Sequence, residues 1–136
     1  MVDIKQYLDE YKSWIVADPS RQSDAVFIRL PMFFYGYDES IAIKVTEKDG
    51  NLILSDCHST FDYFEYLDIE FDDYRVFLDK LRKKHGEKLD RIMKTYGIIL
   101  DGNVFRMTVS GTDYCSFARY LGYFIQALAL IANIDL

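Results

Sequence analysis

The hydrophobic pattern is clearest between Ile41 and Thr60. Apolar and polar residues alternate from Ile41 to Thr46, which predicts a strand with one buried face. The apolar run resumes at Leu52–Leu54 after Asp49-Gly50, a pair typical of tight turns because Gly adopts positive φ without steric cost. We therefore predict a β-hairpin, followed by a polar step in which Ser55, Asp56, Ser59 or Thr60 caps a helix.

Apolar residues at helical spacing predict three further helices. The first runs from Asp3, its cap, to Val16 and is stopped by Asp18-Pro19. The second covers 73–96, as one long helix or as two helices broken near Gly86, and Gly97 ends it. The third covers 113–133, with Thr112 as its cap.

Further strands are predicted at 25–30, where Pro31 ends the strand or places it at an edge, and at 98–100 and 104–109. The last two form a second hairpin across 101–103. The sequence thus predicts one α+β domain over residues 1–136. Its mainly antiparallel sheet of four to five strands, with two hairpins, is packed by N-terminal, middle and C-terminal helices.

Charge and cysteine usage narrow the function classes. The formal net charge is −6, which argues against a nucleic-acid binder that needs a basic surface. The two cysteines, at 57 and 115, have no metal-ligand spacing and are typical of a reduced cytoplasmic protein. The longest apolar stretch, 120–132, contains Gln126 and is too short to span a bilayer. We therefore expect a cytoplasmic protein without a membrane partner.

The chain contains no phosphate-binding glycine loop, no Cys-x-x-Cys pair and no hydrolase or metalloprotease motif, and we expect no cofactor. One candidate catalytic or metal site remains. Glu39, with Asp38 beside it, precedes the first hairpin strand and Asp56 follows the second, so these carboxylates are expected at the same end of the sheet. Such a group binds a divalent cation or performs acid–base chemistry. The alternative is that these acids are caps and solvated turn residues.

Cys57-His58 before a predicted helix is a second candidate, because a thiol at a helix N-terminus has a lowered pKa and His58 is placed to assist it. No third residue that would orient the pair is apparent in the sequence. The competing interpretation is an ordinary polar turn.

An acidic and aromatic segment between 61 and 74 has no Lys or Arg. It is either a solvated helix face with a loop or a protein-contact surface, in its narrower form an imitation of nucleic-acid phosphates. The candidate partner-binding residues are Phe61, Asp62, Glu65, Asp68, Glu70, Asp72 and Asp73.

The last helix is apolar on nearly all sides from Tyr120 onwards. Such a helix is either central in its own core or shared with another chain. We therefore expect a protein partner, with a homodimer through the C-terminal helix as one possibility.

The order of these signals resembles an uncharacterised bacterial and phage domain family of unknown function. The matching segments are Leu30-Pro31-Met32, Glu39–Ile43, Leu54–Thr60, Tyr96-Gly97-Ile98 and Phe124–Ala127. Cys57-His58 stands where the family has Asp-Gly. The resemblance implies that the protein is encoded by a phage or another mobile element, and it implies no established activity.

Two functions are predicted from these patterns. The first is a non-enzymatic protein-interaction module, in its narrower form an acidic inhibitor of a host or defence protein. The second is a metal-dependent hydrolase or nuclease that uses Glu39 and Asp56, with Asp38 or His58 nearby.

Overall fold

The computed structural model describes residues 3–14, 16–19, 25–67, 73–110 and 113–134. Its helices are α1 (Ile4–Trp14), α2 (Ser59–Leu67), α3 (Tyr74–Tyr96) and α4 (Tyr114–Ala132). Its strands are β1 (Val16–Pro19), β2 (Ala25–Phe33), β3 (Ser40–Lys48), β4 (Asn51–Ser55), β5 (Ile98–Asp101) and β6 (Val104–Val109). The predicted α+β class is confirmed.

The strands form one antiparallel sheet in the order β1-β2-β3-β4-β6-β5. The described part of the chain has six strands, one more than the upper end of the prediction. The additional strand is β1, which pairs with β2 from Val16↔Arg29 to Pro19↔Val26. Sequence analysis assigned this segment to the end and stop of the first helix, because four residues are too few to show a strand period.

The central hairpin folds back at the predicted turn. Lys48 pairs with Asn51, and the two residues between them, Asp49 and Gly50, have φ values of 53° and 79°. Positive φ at both positions is the type I′ geometry whose twist matches the two strands.

The strand β2 does not end at Pro31. It continues to Phe33, and its pairing with β3 shifts register between Arg29 and Phe33. Strand β2 also lies between β1 and β3 rather than at an edge. A register shift is one of the few places where a strand tolerates Pro, which has no N–H to donate.

The core lies between one face of the sheet and the helices α2, α3 and α4. On the sheet, buried Leu54 pairs with Met107, which pairs with Ile98, so three adjacent strands point apolar side chains the same way. The helix α4 contributes buried residues to this layer, as the prediction of a packed last helix requires. They are Phe124, Ala127, Leu128, Ile131 and Ala132.

Local caps set the helix limits. Asp73 accepts a hydrogen bond from the backbone N–H of Arg75 at the start of α3, and Gly97 ends the helix in the left-handed conformation. The span of α3 is interrupted at His85, whose φ of −136° and ψ of 24° are not helical, so it consists of two helices joined at a kink. Of the two alternatives, the break near Gly86 is therefore confirmed. Asp113 caps α4 by accepting from the N–H of Ser116 (2.8 Å). Thr112, the predicted cap, lies outside the described residues.

Within the described residues, α4 is the one helix long and apolar enough to cross a membrane, with a mean hydropathy of 1.3 over its most apolar window. The sequence-based stretch began at Tyr120 and was therefore too short. Core helices of soluble proteins pass the same test, and 28% of the residues in this window are buried inside the fold. Length and composition thus give no assignment to a membrane.

We predict opposite effects for two glycines of α3. Gly86 lies in the helix, and a Cβ added there meets no atom within 4 Å, so Gly86→Ala is expected to stabilise the fold by about 1 kcal/mol. Gly97 also has open space, but its φ is +66°, so Gly97→Ala is expected to destabilise by about 1 kcal/mol. Urea unfolding of both variants measures this, and equal shifts of the same sign would contradict it.

Candidate functional site

Asp56 is a fully buried carboxylate where β4 ends and α2 begins. Its Oδ1 accepts hydrogen bonds from the backbone N–H of His58 (3.2 Å) and of Phe105 on β6 (3.1 Å). Its Oδ2 accepts from the N–H of Thr60 (3.3 Å), in the first turn of α2. Both oxygens therefore act as a cap that joins β4, β6 and α2.

Burial raises the pKa of Asp56 from 3.8 to about 6, although the N–H donors favour the charged form. The Thr60 hydroxyl adds no further hydrogen bond, since its buried Oγ1 has no partner among the described residues. The pKa of Asp56 is higher in the folded than in the unfolded chain, so protonation of Asp56 stabilises the fold. This contribution to the free energy of unfolding is fully present below about pH 4. It is lost as the pH rises through 6.

The hairpin register separates Glu39 from Asp56. Lys44 pairs with Ser55, so Asp56 is level with Ile43, four residues from Glu39. At 3.2–3.4 Å per residue this is about 13 Å along the strand. The two carboxylates share one end of the sheet, as predicted, but not one site.

A metal centre at Asp38, Glu39 and Asp56 finds no geometric support. In the part of the chain that the structure describes, no three His, Cys, Asp or Glu side chains are grouped as ligands. Glu39 instead accepts a hydrogen bond from the Tyr37 hydroxyl (3.2 Å). Burial, followed by the charge of Glu39, raises the pKa of Tyr37 to about 12.

The turn Cys57-His58 is strained. Cys57 has φ 51° and His58 has φ 68°, left-handed values that cost a residue with a Cβ about 1–2 kcal/mol. An Asp-Gly pair, which the resembled family has here, fits this backbone better. Desolvation, followed by the charge of Asp56, raises the pKa of the Cys57 thiol. That shift is opposite to the one a nucleophilic cysteine needs.

The imidazole of His58 connects two distant turns. Its Nδ1 lies 2.8 Å from Oδ1 of Asn103, in the turn between β5 and β6. Since the amide oxygen only accepts, the contact is a hydrogen bond in the tautomer of His58 that carries a proton on Nδ1. The orienting residue that sequence analysis did not find for His58 is therefore Asn103, 45 positions away.

Three of the predicted partner-binding acids form a common acidic surface, which we define as Asp62, Glu65 and Asp73. All three are exposed and border a solvent-open groove of about 360 Å³ that also contains Arg75. Partial burial raises the pKa of Asp62, and the charges of Glu65 and Glu39 add to the rise.

Phe61 was also predicted to bind a partner, but it is not part of the acidic surface. It is 2% exposed and stacks on Phe105 with ring centroids 5.7 Å apart. Its apolar ring therefore serves the core. Asp68, Glu70 and Asp72 lie outside the described residues.

The helix α1 carries an apolar surface, which we define as Ile4, Tyr7, Leu8 and Tyr11. These side chains are 69%, 65%, 54% and 44% exposed. Every residue from Asp3 to Ser13 is exposed, and α1 contacts the rest of the fold mainly at β2. The sequence predicted the helix and its amphipathic pattern but not that this face stays largely exposed in the described part of the chain.

A second feature that sequence analysis missed is an apolar groove between α2, α3 and α4, with a volume of about 820 Å³. Lysine side chains of α3 stand at its rim, namely Lys80, Lys83 and Lys84. The apolar lining is formed by Tyr63, Leu67, Phe77, Leu81, Ala132 and Ile134. Because these residues come from three helices, no local pattern marks them as one site.

Comparison with known proteins gives no functional assignment. No protein-family model, no curated protein and no solved structure matches this chain. The resemblance to an uncharacterised phage family therefore stays a prediction, and the function has to be argued from the geometry above.

We predict that Asp56→Ala lowers the free energy of unfolding at pH 7 by at least about 3 kcal/mol, because it leaves three buried N–H groups without an acceptor. Asp56→Asn is the matched control, since its amide oxygen keeps two of these bonds while the titration is removed. Between pH 4 and 6.5 wild type is expected to lose up to about 3 kcal/mol relative to Asp56→Asn. Parallel pH profiles in urea unfolding would contradict this.

We further predict that Cys57→Gly is more stable than Cys57→Ala by about 1 kcal/mol. Both variants remove the thiol, and only Gly relieves the left-handed backbone. Chemical denaturation compares the two, and equal stabilities would show that the turn stores no strain.

Proposed function

We propose that this chain is a non-enzymatic protein-interaction module that binds its partner through the apolar surface of α1. The observation that carries the proposal is the uncovered i, i+3, i+4, i+7 set of Ile4, Tyr7, Leu8 and Tyr11. Helices that dock in grooves on other proteins present anchors at this spacing.

The length of α1 supports the same conclusion. It has 11 residues, and isolated helices shorter than about 12–15 residues are marginal in water. A helix of this length needs its apolar side packed, and the described part of the fold leaves that side largely exposed. A partner that covers it stabilises the helix and removes apolar area from water, at about 25 cal/mol per Å².

The arrangement around Asp56 supports a structural role more than a catalytic one. Both of its oxygens are occupied by backbone donors, and the neighbouring thiol has a raised pKa. No observation favours the alternative of a hydrolase that uses Glu39 and Asp56.

The acidic surface is a second contact area within this proposal. Its exposed carboxylates suit a basic partner, as expected for an inhibitor of a nucleic-acid-binding host or defence protein. Homodimerisation through α4 draws support from exposed Tyr123 (44%) and Leu130 (43%). A cytoplasmic location is supported by the free thiols of Cys57 and Cys115. Phage or mobile-element origin stays a prediction of the resemblance.

We predict that Leu8→Asp abolishes association while leaving the stability of the purified chain within about 0.5 kcal/mol of wild type. The reason is that Leu8 is 54% exposed and does not belong to the buried core. Thermal unfolding, sedimentation velocity and quantitative retention of host proteins on the immobilised chain measure the two effects.

Gln6→Asp is the control, because it places the same acid on the same helix outside the apolar surface. It is expected to keep both stability and association. A melting temperature that falls much further for Leu8→Asp than for Gln6→Asp would show that α1 packs on its own chain, and would overturn the proposal.

A further inference from the structure

The described residues contain two complementary surfaces without a counterpart in their own fold. The helix α1 has an apolar surface that the described residues leave largely exposed, and α2, α3 and α4 enclose an apolar groove of about 820 Å³. A short amphipathic helix and an apolar groove are the two halves of a helix-in-groove contact.

The charges on the two surfaces also match. At 100° per residue, Asp3 and Glu10 lie on one flank of the apolar surface of α1, and Lys5 and Lys12 lie on the other. On the side of α3 the rim of the groove carries Lys80, Lys83 and Lys84, and Lys83 also pairs with Asp79 (3.0 Å). A helix in the groove is therefore favoured with its acidic flank towards α3.

The helix is poorly placed to reach the groove of its own chain. It ends at Trp14 and β1 begins at Val16, so one residue ties it to the edge of the sheet. The groove is built on α3 and α4, which contact β5 and β6 at the other side. From β1 to β6 there are four strand spacings, about 19 Å.

We infer that α1 of one molecule docks in the apolar groove of a second copy of this chain, with Glu10 facing the lysine rim. Two molecules that exchange their helices in this way form a closed two-fold dimer. The inference rests on the proposed function, since it names the partner of the same α1 surface.

Complementation between two variants tests the inference. Leu8→Asp removes the helix surface, and Leu67→Asp places a charge in the groove wall at a residue that is 50% exposed. Each variant alone is expected to raise the dimer Kd by at least about 30-fold. An equimolar mixture retains one intact helix and one intact groove, so dimers reappear in sedimentation velocity. Val76→Asp, 54% exposed on α3 and outside the groove, is the control and leaves the Kd unchanged.

A charge exchange tests the orientation. Glu10→Lys is expected to weaken the dimer, Lys12→Glu on the opposite flank is not, and Lys80→Glu is expected to restore the Glu10→Lys variant. If Lys80→Glu restores the dimer of the Glu10→Lys variant, and Lys12→Glu does not, the stated orientation is supported. If Lys80→Glu does not restore that dimer, the orientation is overturned.

The outcomes separate this inference from the proposed function. If the wild type stays monomeric at high concentration and Leu8→Asp does not change the stability, a second copy is not the partner. The proposed interaction module is then unaffected. A dimer that Leu67→Asp does not weaken overturns the groove. If the protein is a monomer and both Leu8→Asp and Leu67→Asp lower its melting temperature, α1 occupies the groove of its own chain. That result overturns both proposals.

Discussion

The fold depends on a single buried carboxylate that serves three segments at once. Asp56 caps the first turn of α2, closes the turn after β4 and accepts the N–H of Phe105 on β6. Burying a charge is costly unless donors surround it, and here burial still prevails, because the pKa of Asp56 rises to about 6. The three donors are nevertheless what allows α2 to leave the sheet at this point and cover its core face.

The position of that helix decides which acids meet. Sequence analysis expected Glu39 and Asp56 to converge because both flank the central hairpin. The register displaces them by about 13 Å along the strand, while α2 brings Asp62 to a small cavity that Glu39 also borders. Of the two acids that the sequence pattern predicts as a catalytic pair, Asp56 is thus a buried structural cap and Glu39 lies at the surface.

Signals confined to a few residues were predicted well. The Asp49-Gly50 turn and the Gly97 stop follow from local backbone preferences, and both are confirmed. What failed depends on distant contacts: β1 exists through its pairing with β2, and the register shift after Arg29 admits Pro31 within an inner strand. Amphipathicity likewise predicted α1, but whether an apolar side is covered is a property of the assembled molecule.

The amide of Phe105 has an unusual acceptor. Most strand N–H groups bond to a carbonyl of the neighbouring strand, whereas this one points at Oδ1 of Asp56. A hydrogen bond that an N–H donates to an ionised carboxylate is shorter and stronger than one that it donates to a neutral oxygen. The chemical shift of this N–H in a nitrogen–proton NMR spectrum is therefore a built-in indicator of the charge on that carboxyl group, and it is read from a core strand without a substitution.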